Sequence, residues 1–315
     1  MNILVFGKDG QLGRAFKVRL KHSSFQKGDT ILFVGRNECD LSDSSQITNL
    51  LHTFSPQLII NAAAYTAVDK AEIEQDMAFL INASAPELMA IYAAQNGATL
   101  LHFSTDYVFD GSKKGPYTEM DQTNPLGFYG KSKEAGEHAI AKAFAREANQ
   151  IGRYAILRTS WVYGDGSNFI RTILRLAKEH SALRVTNDQY GVPTGATWLA
   201  EVGGNLVLDD GRLRQFASGI YHAVPQGETN WYGLACLVVQ IALDSGQHLQ
   251  ASPMEITPIP ASEYPLPAPR PMNSRLSTDK LQIELERLGL VSKLPHWKTP
   301  WDEQVSDYVK HLSAS

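Results

Sequence analysis

Cysteine is scarce in this 315-residue chain, where only Cys39 and Cys236 occur. Disulfide stapling therefore does not organise the fold, and a reducing compartment is expected. Charge of one sign is not in excess either. The formal net charge is −4, from 29 Lys and Arg against 33 Asp and Glu, which gives no basic stripe and no reason to expect nucleic acid as a partner. Long apolar runs are missing. The opening run Asn2–Phe6 stops at Gly7, too short for a signal-peptide core. The best membrane candidate, Trp231 to Leu243, falls short of the roughly 20 apolar residues that a spanning helix needs. A cytoplasmic protein with no membrane partner is expected. The nine histidines are scattered, and no His, Cys or carboxylate cluster has metal-ligand spacing. No internal repeat is present.

What is there reads as an ordinary soluble globular composition, 43% hydrophobic and 20% charged. The length suits one large α/β unit or two unequal lobes. In the first half, apolar runs of strand length alternate with amphipathic stretches of helix length. That pattern predicts a Rossmann-type, doubly wound parallel sheet with helices on both faces. Strands are expected at Asn2–Phe6, Ile31–Val34, Leu58–Asn61, Thr99–Phe103 and Tyr154–Arg158. Helices are expected at Gln11–Leu20, Ser44–Phe54 (capped by Asp43), Ala85–Asn96 (stopped by Gly97) and Ser132–Ala148. Beyond about Gly164 the pattern loosens. Helices are expected at Phe169–His180, Trp198–Leu208, Trp231–Leu243, Thr278–Leu290 and Asp302–Leu312, and a strand at Gly219–Val224. Seven prolines between Pro253 and Pro271 argue against regular structure there. The interspersed Ile256, Ile259, Tyr264 and Leu266 favour an ordered, extended loop over a linker.

Gly7, Gly10 and Gly13 follow the first strand and open the first helix. Bare glycines let backbone N–H groups come close to a dinucleotide pyrophosphate, and the helix N-terminus adds partial positive charge. A plain tight turn is the alternative. At the end of the second strand, where an acid would hold a ribose 2′-hydroxyl and an arginine a 2′-phosphate, the chain reads Gly35-Arg36. That favours NADPH over NADH, although Arg36 could equally be a solvated charge. Asp40-Leu41 resembles the pair that flanks an adenine ring in such folds. The small residues Asn61-Ala62-Ala63-Ala64 at the end of the third strand allow a close approach to the cofactor, although they also suit plain sheet–helix packing.

Tyr129 and Lys133 stand one helical turn apart. A free phenol titrates near pH 10, and a neighbouring ammonium would lower that value. The pair suits proton transfer to a carbonyl that receives hydride, though chance occurrence on an amphipathic helix is the alternative. After the fourth strand come Ser104 and Thr105, where a parallel-sheet site holds a substrate oxygen. A hydroxyl there can stabilise developing negative charge or merely cap a turn. Thr105 is preferred.

These motifs together resemble the extended short-chain dehydrogenases/reductases, and among them the dTDP-4-dehydrorhamnose reductases. The resemblance runs nearly end to end. It includes Gly7–Gly13, Asn61–Glu72, Ser104–Gly111 (STDYVFDG), Tyr129–Lys133, Arg158–Gly164 (RTSWVYG), Asn168-Phe169, Asn187–Thr194 and Arg270–Leu276 (RPMNSRL). It implies reduction of the C4 ketone of dTDP-4-dehydro-β-L-rhamnose to dTDP-L-rhamnose, with Thr105, Tyr129 and Lys133 as the catalytic trio. Gly10, Gln11 and Leu12 match the pyrophosphate turn, and Asp40, Leu41, Ala64, Tyr65 and Thr66 match further cofactor contacts. Thr105, Asp106, Tyr129, Trp161 and Asn168 match the substrate side. The resemblance also implies a dinucleotide domain over residues 1–163, rejoined by 183–200 and 218–225, and a sugar-nucleotide lobe over 164–315. Some relatives place Mg²⁺ at a dimer interface with an acid in the first helix. Here that helix reads Arg14-Ala15-Phe16, so no metal is carried over, and a homodimer is left open. Two alternatives remain: a non-enzymatic dinucleotide-binding regulatory subunit like that of methionine adenosyltransferase, and an epimerase or dehydratase that regenerates its NAD.

Overall fold

The apolar runs of the first half lie side by side as parallel strands. A computed structural model describes residues 1–21, 25–147, 151–294 and 296–314. Its sheet is built from β1 (Asn2–Phe6), β2 (Thr30–Val34), β3 (Leu58–Asn61), β4 (Thr99–Thr105), β5 (Arg153–Thr159) and β6 (Gly219–His222). Their order is β2-β1-β3-β4-β5-β6, and every neighbouring pair is parallel. Helices cover both faces, so Ile3, Leu4, Val5 and Phe6 are all buried in one unbroken apolar run. One face carries α1 (Gln11–Lys21) with the helix Ala196–Val207; there Phe16, Leu199 and Val202 pack with Ile3, Leu101 and the late residues Leu281, Leu285 and Trp297. The other face carries α2 (Ser44–Phe54), α3 (Gln75–Asn96) and α4 (Phe128–Arg146). Asp43 caps α2, its carboxylate accepting from Ser45 and Gln46 N–H at 2.9 and 3.3 Å.

A second lobe forms around the helices Phe169–Glu179, Trp231–Asp244 and Trp301–Ala314. Its core joins Ile170, Ile173, Leu234, Val238, Val305 and Val309. Leu183 and Val185 pack into this core, and Leu183–Thr186 pairs in parallel with Ile256–Ile259. The proline-rich stretch therefore contains regular structure after all, including a strand through Pro258. Only one edge of that strand is paired, so a proline without an N–H is tolerated there. Ile256 and Ile259 are buried as the extended reading expects, whereas Tyr264 and Leu266 are exposed.

Two other elements differ from expectation. Helix α4 begins at Phe128, not Ser132, and ends at Arg146; Ala148 lies outside the described residues. Helix α3 starts ten residues before Ala85 and passes through a π-turn at Leu80–Ser84. By length and composition it is the one helix among the described residues that could cross a membrane, in place of Trp231–Leu243. Its Met89, Ala90, Ala93 and Ala94 are nonetheless buried against Ile59 and Leu100 of the sheet.

Candidate active site

The chain leaves β1 through a left-handed Gly7 (φ +85°). Gly7 and Lys8 N–H both donate to the Val34 carbonyl, at 2.9 and 3.1 Å, which ties the turn to β2. A Cβ on Gly7 would stand 2.7 Å from the Ala63 nitrogen, and one on Gly13 would stand 2.0 Å from the Gly7 carbonyl oxygen. Gly7 thus lets β1 and the chain after β3 meet, and Gly13 lets α1 lie on the turn. Between them opens a cleft of about 700 Å³. It sits where the sheet order reverses, at the carboxyl ends of β1 and β3, the place where such sheets bind dinucleotides. Gly7, Gly10, Gln11, Leu12, Arg36, Asp40, Leu41, Ala64, Tyr65, Thr66, Tyr129 and Lys133 all line it. Gly13 does not; it is buried in the helix–turn contact.

At one end of the cleft Lys8 pairs with Glu38, whose other oxygen accepts the Gly35 N–H at 2.8 Å. Arg36 is 76% exposed and stands 3.5 Å from Asp40. Ser42 N–H and Oγ hold the Asp40 carboxyl, at 2.9 and 2.8 Å, and keep its pKa below the usual range. Burial pushes the Cys39 thiol up to about 11, so it stays protonated.

At the other end, the start of α4 is set from a distance. A Glu72 carboxylate oxygen accepts the Phe128 N–H at 2.9 Å. This acid at a helix N-terminus offsets the dipole and supplies the cap that Gly127 lacks. Tyr129 and Lys133 then fall on the first turns of α4. Burial and the Asp106 charge push the Tyr129 phenol up to about 12, with Thr105 hydrogen-bonded to it and acting in the opposite direction. A lysine one helical turn away is expected to lower this phenol. In the structure Lys133 runs beneath the end of β4 instead, where its Nζ donates to the Phe103 carbonyl at 2.7 Å and meets His102 Nε2 at 3.2 Å. Burial pulls Lys133 down to about 8.

Thr105 is the last residue of β4. Its hydroxyl donates to Asp106 Oδ1 at 2.8 Å and accepts the Tyr107 N–H at 3.2 Å. Thr105 and Asp106 are not among the residues that line the cleft, whereas Ser104 is, and its hydroxyl has no hydrogen-bond partner. Asp106 is buried and its Oδ2 is unpartnered; burial raises the carboxyl to about 6 against hydrogen bonds from Ser274 and Thr105. The late segment closes over this point. Arg270 binds Asp69 through both oxygens, at 2.6 and 2.8 Å, and Asn273 donates to the Lys113 and Gly115 carbonyls at 2.7 and 2.9 Å.

Trp161 lies outside the cleft lining. It takes a left-handed backbone (φ +45°) and stacks on Trp231 with centroids 3.7 Å apart. A Cβ on Gly191 would fall 2.6 Å from its ring. Such backbone strain persists only where surrounding contacts enforce it. Asn168 caps the helix Phe169–Glu179, accepting from Arg171 N–H at 3.1 Å, while its amide donates to the Gly164 carbonyl at 2.9 Å and to Gln11 at 3.3 Å. The neighbours Asp165, Gly166 and Ser167 line the cleft, which sequence reasoning missed. It also missed Asn82 in the π-turn. That side chain holds Tyr65 by both backbone groups, at 2.8 and 3.0 Å, and donates to Ser132 Oγ at 3.0 Å. An asparagine inside an apolar helix was the available signal. Among the described residues, no group of three or more His, Cys, Asp or Glu is placed to hold a metal ion.

Comparison with known proteins agrees with this geometry. The family model described as RmlD substrate binding domain matches residues 1–313. A dTDP-4-dehydrorhamnose reductase of Salmonella typhimurium is 43% identical over 302 residues, covering 95% of each chain. A solved dTDP-4-dehydrorhamnose reductase from Clostridium acetobutylicum is 33% identical with a TM-score of 0.83 over 99% of each chain. One from Bacillus anthracis, in complex with NADP, is 28% identical with a TM-score of 0.80 over 98% of each. The UDP-glucose 4-epimerase of Thermus thermophilus shares the fold at 17% identity, with a TM-score of 0.76 over 100% of each chain. This chain therefore belongs to the RmlD substrate-binding-domain family, alongside proteins named dTDP-4-dehydrorhamnose reductase.

Proposed function

We propose that the protein reduces the C4 ketone of dTDP-4-dehydro-β-L-rhamnose to dTDP-L-rhamnose, using NADPH in preference to NADH, as a soluble cytoplasmic enzyme. The supporting observation is the meeting of Thr105, Tyr129 and Lys133 at the carboxyl end of β4, beside a cleft that starts at Gly7. The cleft suits a dinucleotide: the Gly7 and Gly13 positions leave room only for hydrogen, and α1 points its N-terminus into the space. In this reading Gly10, Gln11 and Leu12 hold the pyrophosphate, Arg36 faces the 2′-phosphate, and Asp40 and Leu41 flank the adenine. Ala64, Tyr65 and Thr66 form the opposite wall, and Lys133 holds the ribose hydroxyls. When bound, the nicotinamide supplies a hydride to C4.

Tyr129 gives its hydroxyl proton to the oxygen of the former ketone as negative charge develops there. A phenol raised to about 12 stays protonated at neutral pH and so has a proton to give. Thr105 hydrogen-bonds the same oxygen, and Asp106, Trp161 and Asn168 belong to the sugar-nucleotide side. Positioning and proton donation each contribute, the latter about 10²–10⁴-fold.

The test is loss of nicotinamide absorbance with enzymatically generated dTDP-4-dehydro-L-rhamnose, with NADPH and NADH in parallel. Stoichiometric dTDP-L-rhamnose, formed faster with NADPH, is expected. Absence of oxidation with either cofactor, despite measurable cofactor binding, would sink the proposal and favour a regulatory role. Turnover without net oxidation would identify a recycling epimerase. Sedimentation of the same preparation distinguishes monomer from homodimer.

A further inference from the structure

Lys133 sits at the end of a buried chain of hydrogen-bonding groups that the reaction above does not use. The Ala63 N–H, on the cleft wall, reaches Asn61 Oδ1 at 3.2 Å. Asn61 Nδ2 meets His102 Nδ1 at 3.0 Å, and His102 Nε2 meets Lys133 Nζ at 3.2 Å. Lys133 then donates to the Phe103 carbonyl at 2.7 Å. Asn61, His102 and Lys133 are all fully buried, so water cannot repair a mismatch among them.

The chain has a parity. A backbone N–H can only donate, which fixes Asn61 with its oxygen toward Ala63 and its NH₂ toward His102. His102 Nδ1 must then accept. Burial, the larger cause, holds the imidazole neutral, so its one proton is on Nε2, facing Lys133. Only a nitrogen with a lone pair can receive it. An ammonium at Lys133 needs the opposite tautomer, and then two donors face each other either at Asn61–His102 or, if the amide turns, at Ala63–Asn61.

We propose that His102, oriented by Asn61, is a positioning residue that sets the charge of Lys133, and that the proton on Lys133 and the tautomer of His102 change together. The inference rests on the reductase reading for its kinetic consequence, not for its geometry. The other titratable groups around the lysine are Tyr129 and Glu137 on α4, Arg158 on β5 and Asp106 after β4. Glu137 favours the ammonium but is itself held by Arg158 through two bonds, at 2.9 and 2.6 Å. Asp106 acts on Tyr129. With burial already drawing Lys133 down to about 8, both charge states are accessible near neutral pH.

Nitrogen-15 NMR of histidine-labelled protein reads the tautomer directly. At alkaline pH His102 is expected to carry its proton on Nε2. On lowering the pH it is expected to switch to Nδ1 with the midpoint of the lysine, and the switch is expected to vanish in Lys133→Met. A single tautomer from about pH 6 to about pH 10, or a switch that survives in Lys133→Met, would overturn the proposal. The kinetic arm uses His102→Gln, whose amide can turn its oxygen to the ammonium. The alkaline limb of kcat/KM with NADPH and dTDP-4-dehydro-L-rhamnose is expected to move up by at least about one pH unit, with KM for NADPH nearly unchanged. An unmoved limb in an active His102→Gln protein would count against the role. Inactivity of the wild-type protein would sink the reductase reading while leaving the NMR result to decide on His102.

Discussion

Tyr129 and Asp106 both sit where burial shifts their protonation away from what solvent would give them. Tyr129→Phe removes one oxygen and no packing. If that oxygen delivers the proton, kcat is expected to fall at least about a hundredfold, while NADPH binding, followed by fluorescence, is retained. Near-normal turnover would take Tyr129 out of the mechanism. Asp106 is held at a cost in stability. Its carboxyl is raised from 3.8 to about 6 by burial, so between those values the folded protein binds more protons than the unfolded chain. Stability therefore falls as pH rises through that window, and the deficit is complete above it. Asp106→Asn is expected to be more stable than wild type at neutral pH by about 1–3 kcal/mol, a gain that disappears below about pH 4. Urea midpoints at the two pH values measure it; equal midpoints at neutral pH would show that the carboxylate is adequately partnered. An unpartnered buried oxygen kept against stability is what a binding site retains.

At the scale of elements, α4 carries Tyr129 and Lys133, and its position rests on a glycine. A Cβ at Gly130 would stand 2.2 Å from the Tyr107 carbonyl oxygen, a backbone atom that cannot rotate away. Gly130→Ala is expected to destabilise the fold by about 1–3 kcal/mol or more and to lower kcat by displacing Tyr129, measured by thermal unfolding and steady-state turnover. An unchanged melting temperature would show that α4 can slide. The sequence exposes such elements unevenly. β1, α2 and β3 were legible to the residue because each is bounded by local signals: Gly7, the Asp43 cap, the apolar run Leu58–Ile60. The start of α4 was not, because its cap is Glu72, 56 residues away. The π-turn of α3 and the strand through Pro258 escaped for the same reason. The first is fixed by Asn82 bonding to Tyr65 and Ser132, the second by pairing with Leu183–Thr186. Gly7, Tyr129 and Lys133, singled out by motif, all line the cleft, but the direction of Lys133 depends on His102 and Phe103, which no spacing rule connects to it.

Over the whole molecule, the chain leaves the sheet after β5 and returns as β6, and Leu281, Leu285 and Trp297 pack on the sheet side again. We infer that the dinucleotide-binding unit is assembled from the first half of the chain and later returns that include β6 and Leu281–Trp297, with the second lobe inserted around residues 164–186 and 229–259 and completed by the C-terminal helix Trp301–Ala314. The segment after that insertion then has to be fastened to the nucleotide side. Arg270 does this by its two bonds to Asp69, beside which the Ala268 N–H also donates to Asp69 at 3.1 Å. Arg270 further hydrogen-bonds Tyr107, whose ring packs edge-on against Tyr129 at 5.8 Å. Asp69 is 40% exposed, so losing the pair should cost only about 1 kcal/mol of stability. Its effect should fall on closure of the sugar-nucleotide side. Arg270→Ala is expected to raise KM for dTDP-4-dehydro-L-rhamnose about tenfold, a loss of about 1.4 kcal/mol of binding, with KM for NADPH little changed. Asp69→Ala should match it, and the double variant should be no worse than either single one. A parallel rise in KM for NADPH would mean that the pair props open the dinucleotide cleft instead, and additive losses would mean that the two residues act separately.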